Sequence, residues 1–308
     1  MKLLRKLYSI SSPSGYESKM QKFILSRLKQ LGATYYTDAS GNIYATKGIS
    51  ETYPCIVAHM DEVHASHSKG FALIQTDGLI FGYNKKDMEQ TGIGADDKNG
   101  IWVCLKAMEK YDCMKCAFFV EEETGCKGSS KADMNFFADC RYVLQCDRKG
   151  NSDFITDAAG TELCDNYFIG AIDLKKFGYK ETQGSVTDVM ALKENGLNIC
   201  AANISCGYYN PHTRQETTCI RDLHNCFNLV CWIVENCTEV YTHEYAGGYM
   251  ATENETQIIL KELYAEMKHR NSFEEEDLID FYNDYAAYYD IPYETLYNAF
   301  LRIKDKKG

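Results

Sequence analysis

Two short stretches carry the residue types that do metal chemistry. His59-Met60-Asp61 closes the apolar run Tyr53–Ala58, and Asp96-Asp97, inside Gly94-Ala95-Asp96-Asp97-Lys98-Asn99-Gly100, opens a helical pattern. Three further signals each follow a short apolar run: Glu121-Glu122-Glu123-Thr124-Gly125, Cys146-Asp147 and Asn210-Pro211-His212-Thr213. Imidazole and carboxylate together suit zinc, and cobalt or manganese accept the same donors. Two such ions about 3.5–4 Å apart can share one carboxylate and one water. Asp96 is the candidate bridge, His59 and Asp147 complete one ion, and Glu123 and His212 complete the other. Asp61, two residues beyond His59, is placed to accept the second ring N–H of that imidazole and fix its tautomer. Glu122 is left free to act as a general base that takes a proton from water and returns it to a departing amine.

Residues so scattered need a scaffold that brings strand ends together. Apolar strands alternate with helical patterns along most of the chain. The pattern predicts an α/β fold with a mixed, mostly parallel central sheet, helices on both faces and no lid domain. The carboxyl ends of such strands share one edge, where sites assemble. Helices are expected over Ser18–Leu31, from Ile101 to Lys110, over Val186–Asn195 and over Arg221–Cys237. A short helical stretch is expected near Ala132–Phe137. Strands are expected at Ala117–Val120, Tyr142–Cys146 and Leu197–Ile204, and a hairpin is expected to turn at Thr76-Asp77-Gly78. Residues 148–184, rich in glycine and polar turns, are expected to form a flap.

The catalytic domain is read as residues 1–246. From about Gly247 the chain becomes acidic and crowded with tyrosine. Residues 247–308 are expected to form a small helical appendage with helices near 255–269, 275–288 and 293–303 and a break at Ile291-Pro292, since proline opens helices. The 3–4 spacing of Tyr282, Tyr285, Tyr288, Tyr289, Tyr293 and Tyr297 favours core packing.

Composition removes other classes. The chain has 308 residues, 45% hydrophobic, with a net charge of −11 and no basic stripe. Nucleic acid and anionic membrane are therefore not expected partners. No run approaches the roughly 18 apolar residues of a membrane span. The first ten residues are amphipathic and lack the apolar core of a signal peptide, so a cytoplasmic protein is expected. The 14 cysteines are scattered through apolar runs, which favours buried thiols over disulfides. Cys113 and Cys116 form a CxxC pair without the second pair a structural zinc site wants.

In its order and wording this set of motifs resembles the co-catalytic dinuclear zinc peptidases, the superfamily that includes peptidase T, the glutamyl aminopeptidases and the lidless aminopeptidases. Ser12-Pro13-Ser14-Gly15-Tyr16-Glu17 and Asp38-Ala39-Ser40-Gly41-Asn42 resemble the opening of those chains. His59-Met60-Asp61-Glu62-Val63 resembles HxDxV, and Gly94–Ile101 is similar to GADDKAGI. Glu122-Glu123-Thr124-Gly125, Thr187-Asp188 and Gly207–His212 resemble the closing segments. The resemblance implies two zinc ions per chain, with Asp96 bridging, His59 and Asp147 on one and Glu123 and His212 on the other. It also implies Glu122 as base, Asp61 orienting His59, and a cis Asp96–Asp97 peptide. The expected activity is that of a zinc exopeptidase, an aminopeptidase acting on short peptides. Neither gap where relatives insert a lid, His59 to Asp96 or Asp147 to Ser185, is long enough for one, so any homo-oligomer would form without a lid. Arg148 and Arg214 are candidates to hold a substrate carboxylate, and Tyr208 or Tyr209 to donate to an oxyanion. Two rival readings use the same residues: a metal-dependent deacylase of N-acyl amino acids, and a catalytically inactive metal-binding protein.

Overall fold

The computed structural model describes residues 1–244 and, beyond them, 256, 259–263, 266, 267, 273, 275–282, 291 and 293–304. The chain opens with helices α1 (Lys2–Tyr8) and α2 (Ser18–Gln30) and strands β1 (Thr34–Thr37), β2 (Ile43–Lys47) and β3 (Tyr53–His59). The hairpin β4 (Phe71–Thr76) and β5 (Leu79–Asn84) follows, then β6 (Glu89–Thr91), α3 (Ala95–Lys110), β7 (Met114–Phe119) and β8 (Cys140–Arg148). Next come β9 (Asp153–Ala158), β10 (Thr161–Glu162), α4 (Asn166–Gly170), β11 (Lys180–Gly184) and α5 (Asp188–Glu194). The set ends with β12 (Ala201–Ser205), β13 (Tyr208–Tyr209), β14 (Thr217–Cys219) and α6 (Ile220–Asn236).

Nine strands form the main sheet in the order β1-β2-β7-β3-β8-β12-β9-β10, with β11 added beside β9. Its centre is parallel: β3 runs parallel to both β7 and β8, and β8 to β12. Towards the margins the pairs β1–β2, β2–β7, β12–β9 and β9–β10 are antiparallel, and β11 runs parallel to β9. Central strands are buried on both faces and read as continuous apolar runs. Alternate residues serve opposite cores: Ile56, Ala58, Phe118 and Leu144 pack with α1, α2, α3 and α6, whereas Cys55, Val57, Phe119 and Val143 pack with α5. The two-residue period of a strand produces this division.

Up to residue 244 the expected helices, central strands and hairpin are present within a few residues of their sequence limits, whereas the helices expected near 255–269 and 275–288 lie partly outside the described residues. The stretch near Ala132–Phe137 is a single 3-10 turn, Met134–Phe137, capped by the Asp133 carboxylate accepting from the Asn135 N–H. Residues 148–184 are not a flap. They supply β9 to β11, and β9 pairs with β12 through Asn203–Ile155 and Ile204–Phe154. A second, five-stranded sheet was not anticipated: β13 and β14 join β5, β4 and β6. It pairs chain segments more than a hundred residues apart, which local patterning does not report.

All 14 cysteines are free, and all but Cys113 and Cys219 are buried. In the tail, helices Glu275–Phe281 and Tyr293–Lys304 contribute to a cluster of Ile259, Leu263, Met267, Phe273, Leu278, Phe281, Ile291, Leu296 and Phe300. Tyr282, Tyr293 and Tyr297 pack on it, as their spacing suggested. Tyr285, Tyr288, Tyr289 and Pro292 lie outside the described residues. Among the described residues no helix is long and apolar enough to cross a membrane.

Strand β3 carries His59 at its end, so its packing underwrites the site. Ile56 is fully buried, and Ile56→Ala is expected to lower the free energy of unfolding by about 2–5 kcal/mol. Urea denaturation measures it; a loss under about 1 kcal/mol would mean that this face of the sheet is not close-packed.

Candidate metal centre

Every candidate residue but Asp96 sits at a strand end or in the segment that follows one. His59 ends β3, Glu122 and Glu123 follow β7 in a single 3-10 turn, Asp147 lies one residue before the end of β8, and His212 tops the loop between β13 and β14. Asp96 lies in the first turn of α3, where Asp96 and Asp97 depart from helical dihedrals and the Asp96–Asp97 peptide is cis.

Glycine is needed twice in this turn. Gly94 has φ of 61°, and a Cβ there would lie 2.2 Å from Glu62 Oε2. A Cβ on Gly100 would lie 2.4 Å from the Asp97 carboxylate, which accepts from the Gly100 N–H at 2.8 Å and the His59 N–H at 3.3 Å. The Gly94–Gly100 motif therefore encodes a turn whose side chains fill the space that larger residues would occupy.

Two trios offer ligand atoms within 4.8 Å of one another: His59, Asp96 and Asp147, and Asp96, Glu123 and His212. Asp96 belongs to both. Its Oδ1 is 3.1 Å from His59 Nε2 and its Oδ2 is 3.4 Å from His212 Nε2. His59 Nε2 lies 3.7 Å from Asp147 Oδ1, and His212 Nε2 lies 3.1 Å from Glu123 Oε2. Glu122 Oε2 is 3.9 Å from His59 Nε2. All five sequence-predicted ligands and the predicted base are thus brought together.

Asp61 lies against both the His59 ring and the turn after β7. Its Oδ1 is 3.3 Å from His59 Nδ1, and its backbone oxygen is 3.1 Å from the same nitrogen. A donor hydrogen on Nδ1 fits these acceptors and leaves the Nε2 lone pair facing Asp96 and Asp147. The Asp61 carboxylate also accepts from the N–H groups of Glu122 (3.0 Å) and Glu123 (3.1 Å) and from the Ser14 hydroxyl (2.7 Å). One carboxylate thereby sets the turn that presents both glutamates.

Charge at this edge is unbalanced. Asp61, Asp96, Asp97, Glu122, Glu123, Asp147 and Asp188 face His59 and His212, while nearby Lys98 is occupied by Glu62 at 2.8 Å. The titration directions express the imbalance. Hydrogen bonds to Asp96 and Glu123 push His212 up to about 11. Burial would depress His59, but Asp147, Asp61 and Asp96 outweigh it and hold the imidazole well above its usual value. Burial raises Glu122 and Asp147, each aided by neighbouring carboxylates. The Glu123 Oε1 and Asp188 Oδ1 atoms are buried without a hydrogen-bond partner. Buried carboxylates are normally paired or ligate metals. Two divalent cations, one per trio, would supply the missing positive charge and accept the imidazole lone pairs, so the residues present fit such ions.

Several contributors escaped sequence reasoning. Buried Glu216 accepts from the N–H groups of Ile93 (2.8 Å), Gly94 (2.7 Å) and Asp96 (3.2 Å) and contacts His64 Nε2 at 2.9 Å. It holds the turn that carries Asp96. The available signal was an acidic residue adjoining a strand, where glutamate is depleted. Gln145 donates to Asp147 and to Asp188, both at 3.1 Å. Of the two tyrosines, Tyr208 donates to Asp147 Oδ1 at 3.2 Å, whereas Tyr209 turns away to Asp222 at 2.6 Å. Cys113 and Cys116 bond to the backbone oxygens of Ile49 and Cys104, and the only groupings with metal-ligand geometry among the described residues are the two trios.

No protein-family model and no curated protein sequence matches the chain. Solved structures do. The aminopeptidase PepT from Bacillus cereus superposes with a TM-score of 0.63 at 15% identity, covering 77% of this chain and 97% of that one. A tripeptidase from Staphylococcus aureus gives 0.61 at 15% identity over 76% and 96%. An aminopeptidase from the archaeon Desulfurococcus kamchatkensis gives 0.58 at 17% identity over 76% and 94%. The chain has the zinc-exopeptidase fold that its motifs implied.

A metal held by His59 would feel Asp61 through that ring, so Asp61→Asn is expected to weaken metal binding about 10- to 100-fold while the protein stays folded. Competition with a chelator of known affinity measures this, and unaltered affinity would remove Asp61 from that role. Glu216→Ala leaves buried donors unmatched, at about 1–3 kcal/mol each; unchanged stability in denaturant would contradict its part in holding the turn.

Proposed function

We propose that this protein is a metal-dependent exopeptidase, an aminopeptidase that releases N-terminal residues from short peptides. The observation that carries the reading is the pair of trios sharing Asp96, with Glu122 beside them, at the strand ends of a fold shared with aminopeptidases and a tripeptidase. His59, Asp96 and Asp147 would hold one ion, and Asp96, Glu123 and His212 the other. The mixed nitrogen and oxygen set suits zinc, with cobalt or manganese as alternatives. When bound, such ions lower the pKa of water and polarise a peptide carbonyl.

The chain's own groups supply the rest. The Glu122 carboxylate takes a proton from the attacking water and delivers it to the nitrogen of the departing amine, so amide and water become acid and amine with no other reactant. Its burial, which raises its proton affinity, suits a group that must hold that proton between the two steps. Asp61 keeps the His59 ring oriented. The Tyr208 hydroxyl, donated to Asp147, fixes that carboxylate.

Zinc-loaded protein assayed on free and N-acetylated short peptides tests the reading. Release of N-terminal residues from the free peptides is expected. Turnover of blocked substrates alone would replace it with a deacylase of N-acyl amino acids, and metal binding without turnover on either set would leave an inactive metal-binding protein. Glu122→Gln is expected to keep its metal content, counted by elemental analysis, and to lose about 10²- to 10⁴-fold in kcat. A kcat equal to wild type would take Glu122 out of the base role.

A further inference from the structure

A cavity of about 380 Å³ opens between the segment after β8 and the β13–β14 loop, lined by Lys149, Gly150, Ser152, Asp153, Tyr209 and Pro211 among others. Its two walls continue from the metal centre. Lys149 stands two residues after Asp147, and Pro211 directly precedes His212, so the chain that lines the cavity runs into one ligand candidate of each trio.

The wall is rigid. The N–H groups of Cys206 and Gly207 donate to the backbone oxygens of Arg148 (2.9 Å) and Gly150 (2.8 Å), and the Gly150 N–H donates to Tyr208 O at 2.8 Å. The Ser205 hydroxyl donates to Lys149 O at 2.8 Å and accepts from the Asp153 N–H at 3.1 Å. The Tyr209 ring is tied by its hydroxyl to Asp222 at 2.6 Å. A pocket already held in shape spends little on ordering itself around a ligand.

Its charge is selective. The two arginines that the sequence offered are already engaged: Arg148 with Asp153 at 3.4 Å, and Arg214 with Glu89 at 2.6 Å. That first pair neutralises the acidic side chain in the wall. Lys149 is left as a cation with no ion pair among the described residues, in a chain of net charge −11. Two residues of chain span at most about 7 Å, so a substrate two or three residues long bridges the distance from the Asp147 region to the end of a lysine side chain.

We propose that this cavity is a substrate subsite in which Lys149 receives a carboxylate of a short peptide, either the C-terminal group or an acidic side chain. The inference rests on the peptidase reading above, but it concerns binding and is tested by binding. Calorimetry on the full chain would use Ala-Ala-Ala with its first peptide bond replaced by a methylene-amine, its C-terminal amide, and the matching Ala-Ala-Glu amide. The free acid is expected to bind at least tenfold more tightly than the Ala-Ala-Ala amide. Lys149→Met should abolish that preference, and Lys149→Arg should keep it. Lys149 is exposed, so neither substitution threatens folding. Tight binding of the Ala-Ala-Glu amide, lost in Lys149→Met, assigns the subsite to an acidic side chain; its absence assigns it to the C-terminus. Equal affinity for all three peptides, or a preference surviving in Lys149→Met, overturns the proposal. Hydrolysis without discrimination would leave the peptidase reading standing and remove the subsite. Discrimination without hydrolysis would do the reverse.

Discussion

Asp96 is the constraint on which the rest of the structure converges. Its two oxygens reach imidazoles from separate chain segments, at 3.1 and 3.4 Å, and other carboxylates crowd the same edge. Unit charges 4 Å apart interact by about 4 kcal/mol at the effective dielectric of a protein surface. A cluster of like charges so close is tolerable only if positive charge is placed among them. The raised proton affinity of His59 and His212 expresses that need. Divalent cations would meet it, because each is attracted to every carboxylate of its trio at once.

Such a cluster must be held open against its own repulsion, and the scaffold does this with backbone donors. Asp61 is gripped by the turn after β7, Asp97 by Gly100 and the end of β3, and Glu216 by the turn before α3. In each case a carboxylate that does not itself belong to a trio fixes the segment presenting one that does. The negative charge that makes the centre costly therefore also organises it. Charge-assisted bonds of this kind are stronger than neutral ones, and they pass between β3, the β7 turn, α3 and the β14 approach, so the four segments cannot shift independently.

The division between what the sequence revealed and what it hid follows from range. His59, Asp61, Glu122 and Glu123 were legible because each sits just past an apolar strand, and strand ends on a parallel sheet share an edge. Gly94 and Gly100 were legible as a motif, though the reason for them, the pressure of Glu62 and Asp97 on their Cα atoms, needed coordinates. Glu216, Gln145 and the pairing of β14 with β5 were not legible, since each works across more than forty residues of chain. Residues 148–184 misled because β10 and β11 are short, polar strands, and β9 buries Phe154, Ile155 and Ala158 without strict alternation, so no hydrophobic pattern marks the three as strands.

The centre is also asymmetric in a way that bears on access. The His59 side chain is fully buried, whereas that of His212 is 51% exposed. His212 has φ of 61° on a loop whose flanking strands belong to the second sheet. The imidazole of one trio is therefore enclosed, and that of the other faces outward. The exposed imidazole is the one next to Pro211, which lines the Lys149 cavity. A peptide entering there would meet the outward trio first and would find its far end beside a loop anchored to the strand bearing Asp147. The loops around that cavity are short and already held by hydrogen bonds, so on the proposed reading selectivity would reside in their charge and spacing.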